Sequence, residues 1–127
     1  MDIYTEIRQR VKSYRNVVLE EDQYGLSVTP IGGFTVSIAS NDEYCTVDFE
    51  GWHKHFDTSQ EALDCFAWGL SENCRVKVFS RGGKAHKWTA QSLENGVWSD
   101  VSTTGLLFFP FWRKVEISYA QNKLELS

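Results

Sequence analysis

Apolar residues recur four positions apart at Ile3, Ile7 and Val11, and Glu6 stands four before Arg10, a pattern that predicts a helix over residues 2–15 with one docking face. Three consecutive acids, Glu20 to Asp22, break the period, and Gly25, Pro30, Gly32 and Gly33 punctuate two short extended runs. Phe34, Val36 and Ile38 then alternate with Thr35, Ser37 and Ala39. Past the turn at Ser40 to Asp42, Cys45, Val47 and Phe49 alternate with Thr46, Asp48 and Glu50. Strict period two marks half-buried strands, so these runs predict an antiparallel meander. Thr58 precedes Glu61 at capping-box spacing, ahead of Ala62, Leu63, Cys65, Phe66 and Leu70, which predicts a second helix with Trp68 in the core.

Beyond Cys74 the pattern is that of consecutive hairpins. With a two-residue loop at Gly82 and Gly83, Val78 would face Lys87 and Lys77 would face Trp88, mixing polar and apolar on both faces. An odd, three-residue loop instead pairs Val78 with Trp88 and Val76 with Ala90. It gathers Arg75, Lys77, Lys87, Thr89 and Gln91 on the other face, and this register is expected because a one-residue slip inverts every side chain. Asn95-Gly96 signals a type I′ hairpin that pairs Leu93 with Trp98 and Ala90 with Val101. Thr103 to Gly105 reads as a further turn, Leu106 to Phe109 as a strand apolar on both sides, and Val115, Ile117 and Tyr119 as another short strand. Pro110 separates these two runs because it cannot donate to a ladder. The tail after Ala120 is polar enough to fray.

Together these elements predict a single α+β domain over residues 1–127. Its expected architecture is one antiparallel sheet of about six strands in hairpin meanders, with two helices packed on one face. Hydrophobic residues at 42% and charged residues at 24% fit an ordinary folded chain of 127 residues. The start shows no export signal, so a cytoplasmic protein is expected. The apolar run Leu106 to Trp112 falls far short of the roughly 20 residues of a membrane span, so it is expected to be no membrane anchor, and no membrane is expected among the partners. A strand apolar on both sides needs cover, one side from the core and the other from a helix, from the C-terminal segment or from a second copy in a homodimer, the last being slightly favoured. Cys45, Cys65 and Cys74 lack CxxC spacing and read as reduced, buried small hydrophobes.

Charge changes this picture. Residues 1–64 hold five Lys/Arg against twelve Asp/Glu, a net of −7; residues 65–127 hold eight against five, a net of +3. Arg75, Lys77, Arg81, Lys84 and Lys87 lie in a stretch without an acid, and the expected register sets Arg75, Lys77 and Lys87 on the outer face with Phe79 and, farther along, Leu93 and Trp98. The bland reading is a solvated face, or one that complements the acidic half. The sharper reading is a docking site for an acidic or mixed protein surface, since Arg and aromatics are enriched at interface hot spots. A net charge of −4 and the absence of RNP, KH or zinc patterns argue against nucleic acid. Trp112, after Pro110 and before two cations, is a second candidate anchor.

The other arrangement with chemistry is "EGWHKHFD". His53 and His55 are two apart, so on a strand both imidazoles project to one side, as two ligands of a zinc or iron site do, with Glu50 or Asp57 as an added carboxylate. No spacing supplies a third histidine or a named general base. GxSxG, GK[ST] and GxGxxG are all absent. The sequence therefore leads to a non-enzymatic interaction domain acting through Arg75, Lys77, Phe79, Lys87 and Trp98, with no cofactor. The alternative is a small metal-dependent enzyme or ligand-binding protein centred on His53 and His55.

Overall fold

In the computed structural model, which describes residues 2–126, the first helix, α1, spans Ile3–Val11. Asp2 caps it by accepting from the Tyr4 N–H at 3.0 Å, and Glu6 pairs with Arg10 at 2.8 Å as expected. The helix is shorter than residues 2–15 because the Ser13 N–H tightens back onto the Arg10 carbonyl and Asn16, at φ 58°, reverses the chain. Six strands follow: β1 (Tyr14–Arg15), β2 (Val17–Glu21), β3 (Leu26–Pro30), β4 (Val36–Ser40), β5 (Cys45–Phe49) and β6 (Trp52–Phe56). Strands β2 to β6 form an antiparallel sheet in sequential order. Leu26, Val28, Val36, Ile38, Val47, Phe49 and Trp52 bury one face, while Ser27, Thr29, Ser37, Thr46 and Asp48 leave the other open.

Helix α2 (Ser59–Leu70) starts at Thr58, whose hydroxyl accepts from the Glu61 N–H at 3.2 Å and donates to the Glu61 carboxylate at 2.8 Å. Its buried residues Ala62, Leu63, Phe66 and Leu70 pack on β4, β5 and β6. Next come β7 (Cys74–Arg81), β8 (Lys84–Glu94), β9 (Val97–Gly105), β10 (Val115–Gln121) and β11 (Glu125–Leu126). The order β10-β7-β8-β9 makes a second antiparallel sheet, and β11 pairs with β1.

The expectation of one six-stranded sheet is therefore corrected to three sheets of five, four and two strands. The reason lies where β6 meets β9. There the Thr104 hydroxyl accepts from the His53 N–H at 3.2 Å and donates to the His53 carbonyl at 3.3 Å, so a side chain takes the place of a ladder. The inner face of the four-stranded sheet, with Val76, Trp88 and Ala90, then folds over the common core, and Trp88 presses so closely on Gly51 that no Cβ fits there.

In the β7–β8 hairpin Val78 faces Trp88 and Val76 faces Ala90, as expected, yet the loop holds only Gly82 and Gly83, with Arg81 opposite Lys84. The odd residue sits inside the strand: Ser80 faces Ala85 and Phe79 faces Lys87, so His86 is a bulge. Asn95 (φ 53°) and Gly96 (φ 78°) form the expected two-residue turn, with Leu93 opposite Trp98. The expected Ala90–Val101 pair is not formed. Ala90 faces Ser102 and Gln91 faces Asp100, which leaves Val101 as a second bulge, exposed.

Thr103 to Gly105 ends β9 and is not a turn; Leu106 to Phe109, expected as a strand, is a loop. The loop joins β9, which pairs with β8, to β10, which pairs with β7, and so passes the end of the hairpin. The tail, expected to fray, is tied down through Leu126. Asn122 is fully buried, accepting from the Phe34 N–H at 2.7 Å and donating to the Gly69 carbonyl at 3.0 Å, and β11 then pairs with β1.

Candidate functional site

On the outer face of the four-stranded sheet the pairings set three rows side by side: Ile117, Phe79 and Lys87; Tyr119, Lys77, Thr89 and Thr103; Gln121, Arg75, Gln91 and Asp100. Trp98 stands at the end of this face, opposite Leu93. All five residues expected to form a docking site, Arg75, Lys77, Phe79, Lys87 and Trp98, thus share one surface. The Arg75 guanidinium carbon lies 4.4 Å from the Trp98 ring centre and 4.1 Å from that of Tyr119. Its Nε donates to the Gln91 carbonyl oxygen at 2.7 Å, and the Gln91 amide in turn donates to Asp100 at 2.7 Å. Phe79 is flanked by two ammonium groups, Lys87 at 4.1 Å and Lys77 at 5.1 Å.

Among the described residues none of these cations is in an ion pair. The three ion pairs among the described residues are Arg8–Glu21, Arg10–Glu6 and Arg15–Glu125, all in the other part of the molecule. Stacking and the buried Gln91 hold Arg75 in place, so the guanidinium edge is oriented without a carboxylate of its own. The arrangement can dock carboxylates and apolar groups together, through directed donors beside aromatic surface.

Beside this face stands the loop 106–114. Arg81 donates to the carbonyls of Phe111 at 3.1 Å and Arg113 at 2.7 Å, and Leu106 N–H donates to the His86 carbonyl at 2.7 Å. Phe109 stacks on the buried His86 ring at 4.3 Å. Burial, with the neighbouring Arg81 and Lys87, lowers the His86 pKa below the ordinary histidine value. Held in this way, the loop turns Leu107, Phe108, Phe111 and Trp112 outward, with 72–85% of each exposed.

His53 and His55 do project to one side of β6, their ring centres 6.0 Å apart, on the open face of the five-stranded sheet. His55 is hydrogen-bonded to Thr46 at 2.7 Å and lies 4.4 Å from the Tyr44 ring; Asp48 is opposite His53. Half-burial raises the Asp48 pKa, and the two histidines pull it partly back. Among the described residues no three His, Cys, Asp or Glu side chains are grouped to hold a metal, so Glu50 and Asp57 do not complete a ligand set with this pair. Burial pushes the Cys65 and Cys74 thiols up to about 12, which removes them as nucleophiles at neutral pH. A cavity of about 540 Å³ opens between α1, α2 and the C-terminal segment, lined mainly by apolar side chains such as Ile7, Val11, Phe66 and Leu124.

One member of this face was missed in the sequence, and the burial of another was not foreseen. Tyr119 carried the right alternation within its strand, but nothing in a linear pattern places β10 beside β7. Gln91 was placed on the right face yet is buried there at 6% exposure, beneath the long side chains around it. No protein-family model matches this chain, and searches of characterised proteins and of solved structures find no match either, so the reading of this site rests on its geometry.

Proposed function

We propose that this protein is a non-enzymatic partner-binding domain that engages an acidic or mixed protein surface through the outer face of β10, β7, β8 and β9. One observation carries the reading: Arg75 is fixed between two aromatic rings and a buried glutamine with no acid of its own to satisfy. A side chain held in its binding geometry loses little entropy on association, and aromatic and arginine anchors are the residues that dominate interface energies. The exposed flanks Ile117 and Tyr119 extend the same surface and supply apolar area around the cations.

The test is affinity capture with tagged wild type, Trp98→Ala and the Arg75→Glu/Lys77→Glu double variant, alongside Thr46→Ala on the other sheet. A protein retained at stoichiometric levels by wild type and Thr46→Ala, and lost by both outer-face variants while their melting curves stay cooperative, is the expected result. Retention by the outer-face variants would overturn the assignment.

A further inference from the structure

We propose that the loop 106–114 docks the protein on an anionic lipid bilayer, its apolar tip entering the interface and its cations resting on the headgroups. Four large side chains, Leu107 at 84%, Phe108 at 85%, Phe111 at 72% and Trp112 at 72%, point into solvent from one short segment. An apolar cluster of this kind on a chain's surface marks an interaction site. It is also tied to the body of the domain, since Arg81 binds two of its carbonyls and Phe109 stacks on His86, while Phe111 meets Trp112 edge to face at 5.4 Å. Exposure here is built in by the contacts beneath the loop.

Charge selects the occupant. Arg113 and Lys114 follow the aromatics directly, Arg113 lies against Gly82 of the hairpin loop, and Lys84 stands two residues on; no acid occurs between Asp100 and Glu116. Two copies docked loop to loop about a twofold axis would set these cations against themselves. An anionic surface complements them, each cation near it strengthening attachment about fivefold. The order of residues also follows depth in a bilayer. Leu107 and Phe108, the most exposed, are followed along the chain by Phe111, Trp112 and then the two cations, an order of groups that suits acyl boundary, interface and headgroup. No described helix is long and apolar enough to cross a membrane, so the attachment is interfacial and reversible.

Co-sedimentation of the full chain with vesicles of phosphatidylcholine alone, or of phosphatidylcholine with phosphatidylserine, tests this. Wild type is expected to sediment with the phosphatidylserine vesicles, release as salt is raised, and stay in solution with the neutral ones. Leu107→Asp/Phe108→Asp should weaken partitioning at least about tenfold by placing charges at the tip. Arg113→Glu/Lys114→Glu should abolish the preference for the anionic lipid. Because these side chains are exposed, circular-dichroism melts of both variants should match wild type, which separates lost docking from unfolding. Equal partitioning of wild type and the tip variant, or no partitioning of wild type, would overturn the proposal. So would a wild-type dimer in equilibrium sedimentation that the tip variant dissolves and that leaves vesicles unbound, since that identifies a second copy as the occupant.

Discussion

On the five-stranded sheet the positions facing solvent carry Ser27, Thr29, Thr35, Ser37 and Thr46, with Asp48, His53 and His55 toward the β6 edge; on the four-stranded sheet they carry Arg75, Lys77, Phe79, Lys87, Trp98 and Tyr119. Both sheets bury one face in the same core, and water would satisfy either outer face equally well. Short hydroxyl residues finish the first with local bonds, such as Thr29 to Thr35 at 2.7 Å. The second uses large side chains with high rotamer entropy, stacked in pairs. Ordering them costs free energy that solvation does not require, and this difference between the faces is what the proposed recognition role would account for.

The strongest way to break this comparison is to ask whether the two sheets stand or fall together. Asn122→Ala leaves the Phe34 N–H and the Gly69 carbonyl buried without partners, and denaturant titration should show a loss of about 2–5 kcal/mol in one transition. Two separated transitions would mean that the sheets unfold independently. Next in size, Trp98→Ala should lower partner affinity at least about tenfold, as hot-spot truncations do, yet lower stability by no more than about 1 kcal/mol. Thr46→Ala on the opposite sheet should change neither, and an equal effect of both substitutions on binding would erase the distinction between the faces.

Gly96→Ala forces a β-carbon into φ 78° at the hairpin end that orients Trp98, and should cost about 1 kcal/mol in thermal unfolding. The smallest effect concerns His86. Its pKa in the folded protein is lowered by burial and two nearby cations, so the unfolded chain binds the proton more readily and stability falls as pH drops below the ordinary histidine value of about 6.5. His86→Gln should flatten the dependence of the melting temperature on pH in that range, and an unchanged slope would assign it to other groups.

Where burial is one-sided the sequence was readable. Alternation at Val36 to Ile38 and Cys45 to Phe49 located strands because one face of each is in the core, and Thr58 with Glu61 located the start of α2. The β7–β8 register followed from keeping Val76 and Val78 on one side, though its cause was misplaced: the odd residue is the His86 bulge, which no turn motif announces. Leu106 to Phe109 misled for a related reason. Strand propensity records how side chains fit a half-buried pleated surface, and these residues have none beneath most of them. Nor does periodicity say which strands pair, so one sheet was expected where three exist, and Tyr119 could not be joined to Arg75. The burial of Asn122 was equally invisible, since its partners lie 88 and 53 residues away.

That distance has a kinetic meaning. Asn122 supplies a donor and an acceptor to groups that the rest of the fold has already enclosed, near the start of β4 and at the end of α2. A chain still emerging from the ribosome can pair β2 to β6 and cap α2 long before residue 122 is free, but it carries two dry, unbonded polar groups until then. Contacts of such long sequence separation carry the larger loop-closure cost. The final strands thus complete the burial of polar groups laid down far earlier in the chain, and a chain truncated before Asn122 is expected to be more open to limited proteolysis than the full one.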